Sequence, residues 1–488
     1  MNRQVRRLAV FVMILYGLLF VQLNRVTVVS ADDLNANPLN TRALQRDFSR
    51  PRGVIQTADG ALVARTVEVP GDLERLREYP EGDLYAHTAG FMSLEFGAAG
   101  VEREYNDQLS GADREVSLQS FSDLFLDQPR TADVTLSLQH SVQATARELL
   151  GDRKGSVVAL DPRSGAVLAM WSFPSFDPNG LSSHDLTAVG ELRRALLEDP
   201  LRPLLAKSYR ERFSPGSTFK VVTGTAGLQS GTVTREEPVY PVLTEYVPPQ
   251  TDRPIRNFGG ASCGGDLDEV MARSCNTSFA QMAVDVGGEQ MAQSAAGFGF
   301  NEVPPFDLPD GAASLFPPAG FFEDNQPLLA QSGIGQFDVA ATPLQMALVA
   351  AGVANDGVIM APYVVQEVRD SDGRVVSEAS PDAWRSAMSL ADAQTMQAVL
   401  EGVVTSGTGT IMQIPGVQVA AKTGTAEFSL DHTGTHAWMI AFAPVEAPRV
   451  ALAVMVEGDE TTGQQTGASV AGPVARGVME AALAANPS

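Results

Sequence analysis

The order in which apolar patterns occur limits the folds open to this chain. Apolar runs at 155–160 and 166–170 flank the turn Asp161-Pro-Arg-Ser-Gly165 and predict a central antiparallel hairpin. Three more strand-like segments, 417–425, 437–442 and 449–456, follow only after a long block of helical patterns. That block predicts helices over 186–197, 267–286, 343–353 and 389–404, with a loop at 304–327, rich in Pro, Gly and Phe. A last helix is expected over 469–484. Strands, a helical block, then strands and a helix describe an α+β fold, one antiparallel sheet with helices on its faces. At 488 residues there is room for two or three domains, at roughly 150 residues each.

Within the helical block lies Phe213-Ser-Pro-Gly-Ser217-Thr-Phe-Lys220. Pro215-Gly216 is a turn signal, and the apolar spacing from Phe219 onward is helical, so Ser217 is expected at or near a helix N-terminus. Lys220 then falls on the same face one turn later. A hydroxyl beside an amine can act as nucleophile and base, provided the amine is neutral, and burial or a nearby cation lowers a lysine's pKa as it cannot an arginine's. Only four of the 35 basic residues are lysines (154, 207, 220 and 422), so the chain meets nearly all its need for cations with Arg. By itself the motif is equally a surface hydroxyl near a solvated amine.

Two further motifs follow. Ser274-Cys-Asn276 lies 57 residues on, and Lys422-Thr423-Gly424-Thr425 another 148 residues on, in a strand-like segment. Each alone is as well explained by a helix-face pair or a strand end. Together they supply what acyl transfer needs: a nucleophile (Ser217), a proton acceptor (Lys220), a relay (Ser274), an amide holder (Asn276) and a second cation (Lys422). Thr423 and Thr425 can donate to a substrate carboxylate, and Gly424, without a side chain, lets a substrate backbone lie against the strand edge.

The rest of the chain narrows the setting. Arg3, Arg6 and Arg7 precede an apolar run over 8–21, and Asp32 and Asp33 follow it, a pattern that leaves the N-terminus inside and the bulk outside. The run is extendable toward a membrane-spanning length, and a retained anchor is the reading adopted. The rival is a cleaved signal peptide ending at Val29-Ser30-Ala31, from which the polar Asn24-Arg25 separates the apolar run. Outside the cytoplasm Cys263 and Cys275 can form a disulfide; two free thiols are the alternative. The five histidines and two cysteines match no usual ligand set, so no metal or other cofactor is expected. A formal net charge of −23 argues against nucleic acid as a partner. Arg52-Gly53-Val-Ile55 runs into a hairpin tipped by Asp59-Gly60, and a short polar helix or turn is expected over 102–109.

Ser-x-x-Lys, Ser-x-Asn and Lys-Thr-Gly in this order resemble the penicilloyl-serine transferases. Pro215-Gly-Ser-Thr-Phe-Lys220, Lys422-Thr-Gly-Thr-Ala426, His436-Ala-Trp438, the 160–165 hairpin, Arg52-Gly53 and Gly97-x-x-Gly-x-Glu102 together resemble a class B penicillin-binding protein of the short actinobacterial kind. The resemblance implies the penicilloyl-serine transferase fold, with an antiparallel sheet, helices on both faces and a helical subdomain. Ahead of it would come a signal anchor (1–31) and a small extended non-catalytic domain (32–132), leaving 133–488 for the transpeptidase domain. It implies a single-pass membrane enzyme with its catalytic domain outside, cross-linking peptidoglycan stem peptides that end in D-Ala-D-Ala. β-Lactams would acylate Ser217, and the backbone N–H groups of Ser217 and Thr425 would form the oxyanion hole. The implied partner is a polytopic membrane glycosyltransferase. Rival readings are a β-lactamase, a D,D-carboxypeptidase, a bifunctional penicillin-binding protein and a non-catalytic scaffold or sensor. The segment before 132 and the anchor disfavour the β-lactamase, and 32–132 is too short for a glycosyltransferase domain. The intact Ser217, Lys220, Ser274 and Lys422 set disfavours the scaffold.

Overall fold

The computed structural model describes residues 2–26, 48, 50–71, 73–113, 130–427, 434–459, 463 and 465–486. The Val29-Ser30-Ala31 segment, Asp32, Asp33 and His432 lie outside the described residues.

The two distant groups of strands form one antiparallel sheet, in the order Ala420–Glu427, Thr435–Ala443, Val450–Val456, Gly155–Leu160, Val167–Phe173. Val450–Val456 is apolar and buried at every position, as a strand covered on both faces must be. One cover is Pro343–Ala354, buried at all 12 positions. A helix apolar all round has no solvent face to offer. It starts where Thr342 caps it, the hydroxyl accepting from Gln345 N at 3.1 Å with Pro343 at the first helical position. It ends before Asp356 and Gly357, both at positive φ. His140–Leu150 and Gly472–Ala485 pack together as the other cover. The strand Ala420–Glu427 is an edge of this sheet. The second hairpin strand runs to Phe173, beyond the expected end at 170, because Ser172 continues the pairing opposite Ser156.

Two departures from the sequence reading concern helices. The segment 267–286 is two helices, Leu267–Ala272 and Asn276–Val286, broken at Ser274, whose φ is 58°. The C-terminal helix is preceded by a π-helical turn, Gly467–Ala471. As expected, 304–327 is largely loop, apart from the turn Ala319–Phe322 and the start of the helix Gln326–Ser332.

The helix Asn2–Asn24 is fully exposed, and its segment Arg3–Asn24 is long and apolar enough to cross a membrane. A second sheet has six strands in the order Val375–Glu378, Val365–Asp370, Ala132–Leu136, Ile55–Gln56, Leu62–Glu68, Arg75–Glu78. It includes the hairpin expected around Asp59-Gly60 and takes two strands from the C-terminal half of the chain.

The stretch expected as a polar helix or turn is two short helices, Val101–Glu104 and Asn106–Ser110, and it hides a charge. Glu102 is fully buried, with Arg52 Nε at 2.7 Å and Arg77 Nε at 2.6 Å from its two carboxylate oxygens. Burial raises its pKa, but Arg77 and Arg52 outweigh that and hold it below the ordinary carboxylate value. Arg52 also donates to Glu102 O and Asn106 Oδ1, and Arg77 to Gly53 O. Gly53 lies so close to Ala132 that a Cβ would sit 1.8 Å from its carbonyl oxygen. Arg52-Gly53 is therefore a joint, with charge on one side and close approach on the other. Removing the shared acceptor in Glu102→Ala leaves two buried guanidiniums short of a partner, at a cost of about 3–5 kcal/mol. The expected result is a lowered unfolding midpoint of the full-length protein, with penicillin acylation of the molecules that remain folded unchanged.

Candidate active site

Ser217 sits in a 3-10 turn, Gly216–Phe219, that runs directly into the helix Lys220–Ser230. Side chains three apart eclipse in a 3-10 turn, so Ser217 and Lys220 share a face. The turn is seated against the Lys422 strand by contacts that tolerate no extra atom. A Cβ on Gly216, at φ 53°, would lie 2.8 Å from Thr425 O. Gly216 N donates to Gly335 O at 3.0 Å, and Trp438 Nε1 donates to Ser214 O at 3.0 Å. A Cβ on Gly424 would meet Pro215 O, Thr218 Cγ2 and Trp438 Cβ at 2.9 Å each. The glycine of Lys-Thr-Gly is thus required by the packing of the strand on the nucleophile turn, a reason different from the substrate clearance expected of it.

Lys220 Nζ is buried where the three motifs meet. It donates to Ser274 O at 2.8 Å and to Asn276 Oδ1 at 2.7 Å, and lies 3.3 Å from Ser274 Oγ. Lys422, equally buried, donates to Ser274 Oγ at 2.9 Å and to Thr423 O at 3.0 Å. Burial, and then the Lys422 charge, push Lys220 well below the ordinary lysine pKa; burial brings Lys422 down to about 7. A neutral amine has two N–H groups, matching the two short contacts of Lys220, and a lone pair left over.

The break at Ser274 makes this meeting possible. In a continuous helix the Ser274 carbonyl would be committed four residues on; at φ 58° both its carbonyl and its hydroxyl turn to Lys220. Cys275 is disulfide-bonded to Cys263, with Cα atoms 5.5 Å apart, which ties the break to the strand Cys263–Gly265. Asn276 begins the next helix and donates through Nδ2 to Arg256 O at 2.9 Å.

These groups face a cleft of about 1080 Å³. Ser217, Ser274, Asn276, Thr423 and Thr425 line it, while Lys220, Lys422 and Gly424 stand behind its wall. All eight candidate catalytic and substrate-binding residues therefore lie in the cleft or directly behind it. Others were missed. Thr408, whose Oγ1 is 2.8 Å from Thr423 Oγ1, also lines the cleft; its signal was the Gly- and Thr-rich stretch 405–410 after a helix. Arg256, Arg273 and Glu427 line it too, without a motif to announce them.

An antiparallel sheet with helices on both faces, and a buried lysine one turn after a cleft serine, define the class as the penicilloyl-serine transferases. Residues 155–480 match the penicillin binding protein transpeptidase domain, and residues 52–134 the penicillin binding protein A dimerisation domain. The chain belongs to the penicillin-binding protein transpeptidase family. It is 39% identical to the peptidoglycan D,D-transpeptidase PbpA of Mycolicibacterium smegmatis, covering 99% of each chain. Its identity to PbpA of Mycobacterium tuberculosis is 37%, covering all of both chains. The fold matches penicillin-binding protein A from M. tuberculosis, solved as a ceftriaxone acyl-enzyme, with a TM-score of 0.84 and 35% identity over 90% of this chain and all of that one.

Lys220 can take a proton only above its folded pKa, so acylation by penicillin is expected to fall on acidification, with an inflection well below the ordinary lysine value. Lys422→Met removes the neighbouring cation, raises the Lys220 pKa and should move that inflection to higher pH. Lys220→Arg cannot lose its proton; acylation should drop about 10²–10⁴-fold. Stopped-flow acylation rates across pH check all three.

Proposed function

We propose that Ser217 is the acyl-accepting nucleophile and Lys220 its base, with Ser274 as the relay, in a peptidoglycan D,D-transpeptidase. The chain is a serine-type D-Ala-D-Ala transpeptidase of cell-wall synthesis, and β-lactams are its inhibitors. The observation that carries the assignment of roles is the fully buried Lys220 Nζ, bonded to Ser274 and Asn276 and depressed in pKa beside Lys422.

In the first half-reaction the Lys220 lone pair takes the Ser217 Oγ proton, and Oγ attacks the carbonyl carbon of the penultimate D-Ala. The backbone N–H groups of Ser217 and Thr425 would hold the oxyanion, since the turn and the strand abut at Gly216 and Thr425. Ser274, hydrogen-bonded to both lysines, would pass the proton to the nitrogen of the departing D-Ala. In the second half-reaction an amine on a neighbouring strand attacks the ester carbonyl. One amine proton returns by the same relay to Ser217 Oγ as the acyl–oxygen bond breaks. Asn276 would hold the donor's amide; Thr423, Thr425 and Lys422 would receive its terminal carboxylate.

The exposed helix Asn2–Asn24 is a candidate membrane span. We infer a single-pass anchor over 1–31, a non-catalytic domain over 32–132 and a transpeptidase domain over 133–488 held outside the cytoplasm. A polytopic membrane glycosyltransferase that supplies uncross-linked strands is the partner this arrangement suits.

Full-length protein incubated with a penicillin should gain one drug mass at Ser217, and the adduct should release opened drug slowly. Ser217→Ala should gain nothing. Rapid release would instead describe a β-lactamase, and no adduct on folded wild-type protein a catalytically silent scaffold.

A further inference from the structure

Beyond Thr425, the Lys422 strand carries one more side chain into the cleft. Successive side chains of a strand alternate between faces. Thr423, Thr425 and Glu427 accordingly line the cleft, while Lys422 and Gly424 lie behind it. Glu427 stands two residues, roughly 7 Å, past Thr425 on a strand whose outer edge is open. It is exposed, and among the described residues that line the cleft it is the sole carboxylate. Among the described residues it has no basic partner. Its cross-strand neighbour Thr435 cannot serve it, because the Thr435 hydroxyl donates to Gln465 O at 2.6 Å and accepts from Gln465 N at 2.9 Å.

The cations of the cleft are elsewhere. Arg256 pairs with Glu245 at 3.1 Å, and Arg273 donates to Ser262 O at 2.6 Å. Both belong to the wall that carries Ser274 and Asn276. The cleft is thus polarised. The cationic side chains Lys422, Arg256 and Arg273 gather around the Ser274 break, and a carboxylate without a basic partner among the described residues lies beyond the oxyanion-hole end of the strand.

A stem peptide awaiting cross-linking carries a carboxylate at its D-Ala end and an amine that can accept an acyl group. Such an alkylamine is an ammonium at neutral pH, with a pKa of about 10.4 when unperturbed. The carboxylate end has its receivers near Thr423. Among the described residues lining the cleft, Glu427 is the one counter-charge for the ammonium. Resting on the transpeptidase reading above, we propose that Glu427 is a specificity-determining residue that binds the side-chain ammonium of an uncross-linked stem peptide. Donor and acceptor peptides both bear that group, and the chemistry at Glu427 is the same for either. For the acceptor, the bound ammonium loses one proton to water before its nitrogen attacks, and the second travels through Ser274 to Ser217 Oγ.

The test uses full-length wild type and Glu427→Gln in detergent, with two pairs of probes. The donor pair is a D-Ala-D-Ala-terminated stem peptide with its side-chain amine free or acetylated, followed by D-Ala release. The acceptor pair is a stem-peptide amine and hydroxylamine, which is uncharged at neutral pH, competing with water for one acyl-enzyme formed from an amine-free thioester. An exposed ion pair changes binding by about two- to fivefold. The variant is therefore expected to lower the cationic-to-neutral rate ratio by that factor. A fall in the donor pair places the donor's ammonium at Glu427, and a fall in the acceptor pair places the acceptor's there. Ratios equal to wild type in both pairs, or cationic and neutral probes slowed alike, overturn the proposal. Wild-type protein that releases no D-Ala and transfers to no amine would defeat the transpeptidase reading instead, so the two failures are distinct.

Discussion

Two buried lysine side chains reach the same serine hydroxyl at the wall of the cleft, with Lys220 Nζ 3.3 Å and Lys422 Nζ 2.9 Å from Ser274 Oγ. Desolvation penalises an ammonium, and two of them at one hydroxyl penalise each other further. The outcome is a pair of amines whose pKa values are both depressed, by burial in each and for Lys220 by the Lys422 charge as well. Because the two groups interact, protonation belongs to the pair and not to either residue alone. This gives the motif order its physical meaning. Ser-x-x-Lys supplies a potential base, Ser-x-Asn the contacts that a neutral amine can satisfy, and Lys-Thr-Gly the second cation that helps keep the first one neutral.

Holding three segments so far apart in sequence at one point requires backbones in close contact. Trp438 is central to this. Its indole N–H anchors the Ser214 carbonyl, its Cβ packs where a side chain on Gly424 would go, and a Cβ on Gly467 would lie 2.1 Å from its carbonyl oxygen. Phe213, one residue before Ser214, packs edge-on against His436, two before Trp438 on the same strand. Burial lowers the His436 pKa to about 4, so the imidazole is neutral, and its Nδ1 accepts from Gly458 N at 3.1 Å. The His436-Ala-Trp438 motif, recognisable in the sequence only as a family likeness, is the clamp between the nucleophile turn and the sheet.

What could be read from the chain followed from local chemistry. Apolar runs around the turn at 161–165 gave the hairpin, and the capping of Thr342-Pro343 gave a helix start correct to the residue. The break at Ser274 was not legible, because a helical apolar pattern persists through it; only the demand of Lys220 for acceptors forces the left-handed turn. Glu102 looked like one polar residue on a surface helix, since a buried charge is revealed only by partners 50 and 25 residues away. Glu427 reaches the cleft only once the sheet is assembled, and no local pattern announces it.

The six-stranded sheet shows why the N-terminal domain and the catalytic domain should move together. Its strand Ala132–Leu136 is continuous with Ser137, whose hydroxyl donates to Val167 O at 2.8 Å in the catalytic sheet. Val167 N donates to Tyr363 O, and Tyr363 N to Gly165 O, just ahead of the strand Val365–Asp370 that joins the six-stranded sheet. Asp307 closes the joint by accepting from Val364 N and Val365 N. Burial raises its pKa to about 6, against the pull of those two N–H groups. Hydrogen bonds thus run from the Arg52–Glu102–Arg77 joint, through Ala132–Leu136, to the tip of the hairpin that begins the catalytic sheet. Bending between the two sheets would break backbone bonds at Val167 and Tyr363 and leave buried polar groups unpaired, which costs more than the small stability reserve of a folded domain readily tolerates. A pedestal built this way transmits position: wherever the Arg52–Glu102–Arg77 joint is held, the cleft stands at a fixed reach from it.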